Sequence, residues 1–236
     1  MVNTMKGKNM KKLIALMLAF GVTAGIAHAQ TQVLSQNAVG YVKTEVPAGG
    51  IAFVGMPFEE LVEDGNLFGN ALGDQLPIGT TVNWFDPVSQ TFDSSTKSAK
   101  GWSGGGADRP LVRGEGFFLT HQAVDDVEVF LMGEVPDTAE ELITILGGGA
   151  LQALSFAYPA EIEFLDTELA DVLATGDTVF FWSTDTQSYQ STTKSAKGWS
   201  GATGLVMQPG GAFFVQRDVG NVGSVDWTEA KPYTWP

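Results

Sequence analysis

The nonapeptide TKSAKGWSG stands twice in this 236-residue chain, at 96–104 and again at 193–201, and each copy sets two lysines beside a tryptophan. Lys97, Lys100 and Trp102 in the first copy, and Lys194, Lys197 and Trp199 in the second, are the residues whose types and spacing could do chemistry. An exposed indole stacks on a sugar ring while ammonium groups beside it meet a uronate or sulfate, which would make a bivalent carbohydrate-binding module for acidic polysaccharide. The same lysines could instead meet acidic patches of a neighbouring copy and drive head-to-tail self-association through surface loops. In the plainest reading the tryptophans belong to the core and Ser-Ala-Lys-Gly is a turn with solvated lysines. Burial of the two indoles separates these readings.

Other chemistry finds little footing. Beyond residue 29 the only histidine is His121, no Gly-x-Ser-x-Gly elbow accompanies it, and the chain has no cysteine. Neither a Ser-His-Asp triad nor a zinc set can be assembled from that. A lone histidine beside a strand end reads as a surface or capping residue. Two carboxylates suffice for glycoside hydrolysis, but no pair among the 27 acids is singled out, so a glycosidase ranks third. Glu59-Glu60, Glu63-Asp64 and Asp125-Asp126 could help hold calcium, yet a loop begun at Asp64 has Gln75 where the bidentate acid of an EF-hand belongs. No cofactor is expected, and calcium is the one ion the acidic pairs point to.

The destination is written at the N-terminus. Lys6, Lys8, Lys11 and Lys12 precede an apolar run from Leu13 to Ala27, and Ala27-His28-Ala29 completes a secretory signal peptide over residues 1–29. Cleavage there would leave 207 residues with nine cations against 27 acids, a net charge of −18. Such a chain repels nucleic acid and anionic membrane surfaces, and no second apolar segment offers a span. It is expected in the periplasm, at the cell surface or outside the cell. Without cysteine it must be held by its core, which its length permits.

The elements that would position the nonapeptides follow from the duplication. Gly79-Thr80-Thr81-Val82 matches Gly176-Asp177-Thr178-Val179, Gln90 matches Gln187 and Phe92 matches Tyr189, all 97 positions apart; after the nonapeptide the offset slips by one, setting Gly114, Phe117 and Phe118 on Gly210, Phe213 and Phe214. Repeat 1 covers 30–137 and repeat 2 covers 138–236, each too long for a solenoid unit. Period-two alternation, as in Val127, Val129 and Leu131, and Gly, Pro, Asn or Asp about every ten residues predict antiparallel strands joined by turns. One short helix is predicted in each copy, within 58–71 and 167–174. Asp166 or Thr167 would cap the second, and Leu72 with Leu76 and Leu169 with Leu173 would pin each to a sheet. The fold class is all-β: two tandem antiparallel sandwich or barrel-like units of about 100 residues.

Ser35-Gln36-Asn37-Ala38-Val39-Gly40-Tyr41, the Gly-Thr-Thr-Val strand, the Lys-Gly-Trp turn and the Gly-x-Gly-Phe-Phe strand at 114–118 together resemble a family of exported bacterial β-rich proteins with paired repeats. The resemblance spans nearly all of the chain beyond residue 29 and carries no catalytic residues to transfer. The second copy departs from it by lacking the opening segment and by having Ala212 where the first has Gly116. The reading that results is a non-catalytic structural, self-assembling or adhesive component of the cell surface or extracellular matrix.

Overall fold

The computed structural model describes residues 38–201 and 203–234, so the expected signal peptide lies outside the described residues. The first half runs β1 (Val39–Val46), β2 (Ile51–Gly55), a wide helical turn (Gly69–Gly73), β3 (Thr81–Asp86), β4 (Thr91–Ser98), β5 (Gly101–Trp102), β6 (Gly116–Thr120) and β7 (Val127–Glu134). The second runs β8 (Glu140–Ile145), β9 (Leu151–Ser155), β10 (Ile162–Glu163), α1 (Glu168–Val172), β11 (Thr178–Ser183), β12 (Ser188–Ser195), β13 (Gly198–Trp199), β14 (Val206–Met207), β15 (Ala212–Gln216) and β16 (Val225–Ala230). Each half builds one five-stranded antiparallel sheet, in the order β2-β6-β3-β4-β5 and β9-β15-β11-β12-β13. Each also pairs its first strand with its last, β1 with β7 and β8 with β16. The mostly β architecture and the duplication read from the sequence are both present.

Alternation explains which face goes where. In β6, Phe117 and Leu119 turn into a core shared with Val82 and Trp84 of β3, Val129 and Leu131 of β7, and Leu72 and Leu76. Phe118, between them, turns the other way, and so does Phe53 of β2. The second half repeats the scheme with Phe213, Val215, Val179, Trp227, Leu169 and Leu173 inside and Phe214 outside. The outward aromatics of the two sheets meet. Phe53, Phe118 and Phe214 form a stack, with Phe53 and Phe118 4.0 Å apart, and Phe85, Phe180 and Trp182 close it at the sides. Burying rings of this size accounts for much of what joins the halves.

Backbone contacts between the halves are reciprocal. Gly55 N–H donates to Gly210 C=O at 3.0 Å, and at the matching positions Ser155 N–H donates to Gly114 C=O at 2.9 Å. Such reciprocity is that of an approximate two-fold axis. Residues at matching positions beside that axis face each other, and two side chains cannot share the space. A Cβ on Gly55 would lie 2.1 Å from the Cβ of Ser155, and one on Gly116 would lie 2.8 Å from that of Ala212. The Gly116-to-Ala212 departure is therefore tolerated on one side only: one member of each facing pair must be glycine.

The helical expectation holds in part. Thr167 caps α1 by accepting from Ala170 N–H, and Glu168 and Asp171 occupy its first turn. In the first half, only Gly69–Gly73 is helical within the segment expected from 58 to 71. Glu59 instead exchanges two backbone hydrogen bonds with Glu134 on the edge of β7, which holds that part of the chain extended. The opening strand of the second half forms despite its divergent sequence, with all six β8 residues paired to β16.

Candidate functional site

The two nonapeptides fold into the same hairpin. Lys97 pairs with Trp102 across β4 and β5, and Lys194 with Trp199 across β12 and β13. Ser98 Oγ donates to Gly101 C=O and accepts from Lys100 N–H; Ser195 does the same with Gly198 and Lys197. Gly101 and Gly198 take φ of 103° and 107°, a region other residues rarely enter, which explains the invariant glycine of the turn.

The lysines divide into two kinds. Lys97 Nζ donates to the carbonyls of Gly73 and Leu76 at 2.6 and 2.8 Å, and Lys194 Nζ to those of Ala170 and Asp171 at 2.7 and 3.0 Å. Gly73, Ala170 and Asp171 lie in the last turn of these helical segments and Leu76 just beyond, where backbone acceptors lack partners and a cation is favoured. Lys97 and Lys194 thus fasten the helical turn of each half to its sheet. Lys100 and Lys197 stand exposed at the hairpin tips.

The tryptophans are half-buried and built into the cores. Trp102 meets Phe68 edge-on at 4.8 Å, and Trp199 meets Phe164 in the same way at 4.8 Å. Trp199 Nε1 also donates to Ala170 C=O at 3.0 Å, and the Lys194 ammonium lies 5.6 Å from its ring. The geometry gives the duplicated peptide a folding role in each half, and leaves Lys100 and Lys197 exposed to solvent.

Two residues of the match do more than its alignment shows. Gln90 and Gln187 end the β3–β4 and β11–β12 turns at φ of 57° and 50°, where glycine is the usual choice. Gln187 accepts from Ile51 N–H at 2.8 Å and donates to Ile51 C=O at 3.0 Å; Gln90 accepts from Leu151 N–H at 3.2 Å and donates to Leu151 C=O at 3.0 Å. Each side chain thus pairs like a strand with the first residue of the other half's edge strand. The signal in the sequence that could have pointed to this clamp is the same glutamine standing at the same turn position of both copies.

His121 is buried, and both ring nitrogens serve the backbone: Nδ1 accepts from Ala123 N–H and Nε2 lies 3.0 Å from Val46 C=O. Glu59, from one of the acidic pairs, lies 3.2 Å from Arg113, which also meets Glu141 at 2.6 Å. Among the described residues, no three His, Cys, Asp or Glu side chains gather as a metal site. Burial pushes the Glu229 carboxyl above its ordinary range, while Trp227 Nε1 and Glu168 N–H donate to it.

Two surface features remain. On the outer face of β1 and β7, Val39, Tyr41 and Met132 are 65%, 70% and 60% exposed, beside half-buried Phe130. Above the aromatic stack, Phe92 and Tyr189 line a groove of about 320 Å³ with Ile51, Asn83, Phe118 and Thr120. Compared with protein family models, curated proteins and solved structures, the chain finds no match. No helix among the described residues is long and apolar enough to cross a membrane.

Proposed function

We propose that this chain is an exported, non-catalytic β-repeat protein that serves as a structural, self-assembling or adhesive component of the cell surface or extracellular matrix. The outer face of the β1–β7 sheet carries the reading. Its apolar side chains adjoin an eight-residue strand, β1, that is paired on one side only among the described residues. Such an edge extends by backbone pairing while the face beside it loses apolar surface to water, which suits a second copy of the chain. The matching face of β8 and β16 presents Glu140, Thr144, Asp226 and Thr228 around a single exposed leucine, Leu142. Export is supported by the pattern of the first 29 residues.

Copies cleaved after Ala29 would each carry a net charge of −18 and repel one another, so salt should promote contact by screening. Sizing and negative-stain microscopy of the chain from Gln30, between about 0.01 and 0.5 M salt and with or without calcium, test this. Assemblies should grow with salt, and Tyr41→Glu combined with Met132→Glu should return them to monomers. A monodisperse monomer under every condition overturns self-assembly.

A further inference from the structure

The groove between Phe92 and Tyr189 takes no lining residue from β1 or β7 and owes its existence to one difference between the repeats. Asn83 in β3 occupies the position of Phe180 in β11; each pairs with a serine, Ser94 or Ser191, on the neighbouring strand and with a phenylalanine, Phe118 or Phe214, on the other. In the second half the Phe180 ring packs into the aromatic cluster, 6.4 Å from Tyr189. In the first half the smaller amide leaves that space open.

What lines the opening defines what would fit. Phe92 is 54% exposed and Tyr189 46% exposed, although both rings are anchored below: Phe92 edge-on to Phe85 and Phe118, Tyr189 edge-on to Trp182. They are fixed platforms with free apolar surface. Asn83 Oδ1 accepts from Ser94 Oγ at 2.6 Å, which orients the amide and leaves its N–H groups as donors. Thr120 hydroxyl and Tyr189 phenol add polar points at the rim, and burial pushes the phenol's pKa up so that it stays a neutral donor. No charged side chain lines the groove.

We infer that this groove binds a neutral sugar ring of a glycan. A pyranose has apolar C–H faces for the two aromatic platforms and hydroxyls at its edge for the amide and hydroxyl groups. A uronate or sulfated sugar would find no counter-charge there and would meet the repulsion of a chain with 27 acids. The cavity falls within the usual range of small-molecule sites, about 300–1,000 Å³.

The decisive variant is Asn83→Phe, which copies the second half's own solution and fills the groove with a side chain that the fold already accommodates opposite serine. Calorimetric titration with neutral hexasaccharides of glucose, xylose, mannose and N-acetylglucosamine should give binding to at least one, with polygalacturonate inert. Asn83→Phe should weaken that binding by at least about tenfold, with circular dichroism unchanged. If Asn83→Phe fails to fold, Phe92→Ser replaces it with the same expected loss. The inference is overturned if no neutral hexasaccharide binds, if binding is confined to polygalacturonate, or if the folded variants bind as tightly as the parent. It is equally overturned if the groove proves to be filled by a second copy, seen as a concentration-dependent dimer that Asn83→Phe abolishes.

Discussion

Beside the first strand of each inner hairpin, the two halves solve one problem in different ways. The first half places Thr80 and His121 there, both buried, with the histidine spending its ring nitrogens on Val46 and Ala123. At the matching positions, the second half places Asp177 and Arg217, an ion pair of 2.7 Å, and Asp177 also accepts from Ala174 N–H, Asp218 N–H and Asn221 Nδ2. A neutral arrangement and a charged one hold the same backbone. Thr80 Oγ1 makes no hydrogen bond where Asp177 accepts three, so the difference teaches that the duplicated fold constrains shape at this place and leaves both the charge and the number of hydrogen bonds free.

Breaking the charged version should cost most. Arg217→Ala leaves Asp177 buried without its cation and should lower stability by about 3–5 kcal/mol, against about 1–2 kcal/mol for His121→Ala. Denaturant unfolding of the two variants reads the gap, and equal losses would erase the distinction drawn here. Lys97→Met and Lys194→Met come next, each expected to cost about 1–3 kcal/mol, the first by stranding the carbonyls of Gly73 and Leu76 and the second that of Asp171, since Ala170 C=O keeps Trp199 Nε1, while Lys100→Ala and Lys197→Ala should stay within about 0.5 kcal/mol. Equal effects from all four lysines would show that the internal pair does not fasten the helical turns.

The glutamine clamps allow a finer contrast. Gln90→Ala loses the bonds to Leu151 and keeps the unfavourable positive φ, whereas Gln90→Gly loses the same bonds and relieves the strain. Alanine should therefore be worse by about 1 kcal/mol, and Gln187 should behave alike. The smallest effect concerns Glu229. Its folded-state pKa is raised, so the folded chain holds the proton more tightly than the unfolded chain does. That contribution is fully present below the ordinary carboxylate range and is lost as pH rises through the raised value. Relative to Glu229→Gln, the parent's melting temperature should thus decline as pH climbs above about 4.5; parallel curves would contradict the shift.

Much of each half could be read directly from residue order. Alternation placed Val129 and Leu131 inside, the cap was narrowed to Asp166 or Thr167, of which Thr167 is the one, and the leucines at 72, 76, 169 and 173 are all buried. These are local matters, settled by periodicity and by hydrogen-bonding groups a few residues away. The nonapeptide was legible as a turn, but its lysines were weighed as surface charges, because nothing near them in sequence shows that two of them reach carbonyls 21 to 24 residues back. The segment from 58 to 71 reads as helical because its leucines and acids suit a helix; in its first part, pairing of Glu59 with the edge of β7 overrode that preference.

By itself, the sequence determined the duplication, the antiparallel β class, the strand faces within each half and the chemistry available to them. Only the tertiary structure decided how the halves meet. Contacts across an approximate two-fold axis join residues as little as 41 positions apart, Gly114 and Ser155, and as much as 155, Gly55 and Gly210, and no periodicity encodes them. There a position faces its own counterpart, and where the backbones approach most closely one of the two must be glycine, as in Gly55 against Ser155 and Gly116 against Ala212, whereas the identical Phe118 and Phe214 pack 5.7 Å apart. The same pairing made Gln90 and Gln187 clamps and left Asn83, in place of a second Phe180, at an open groove.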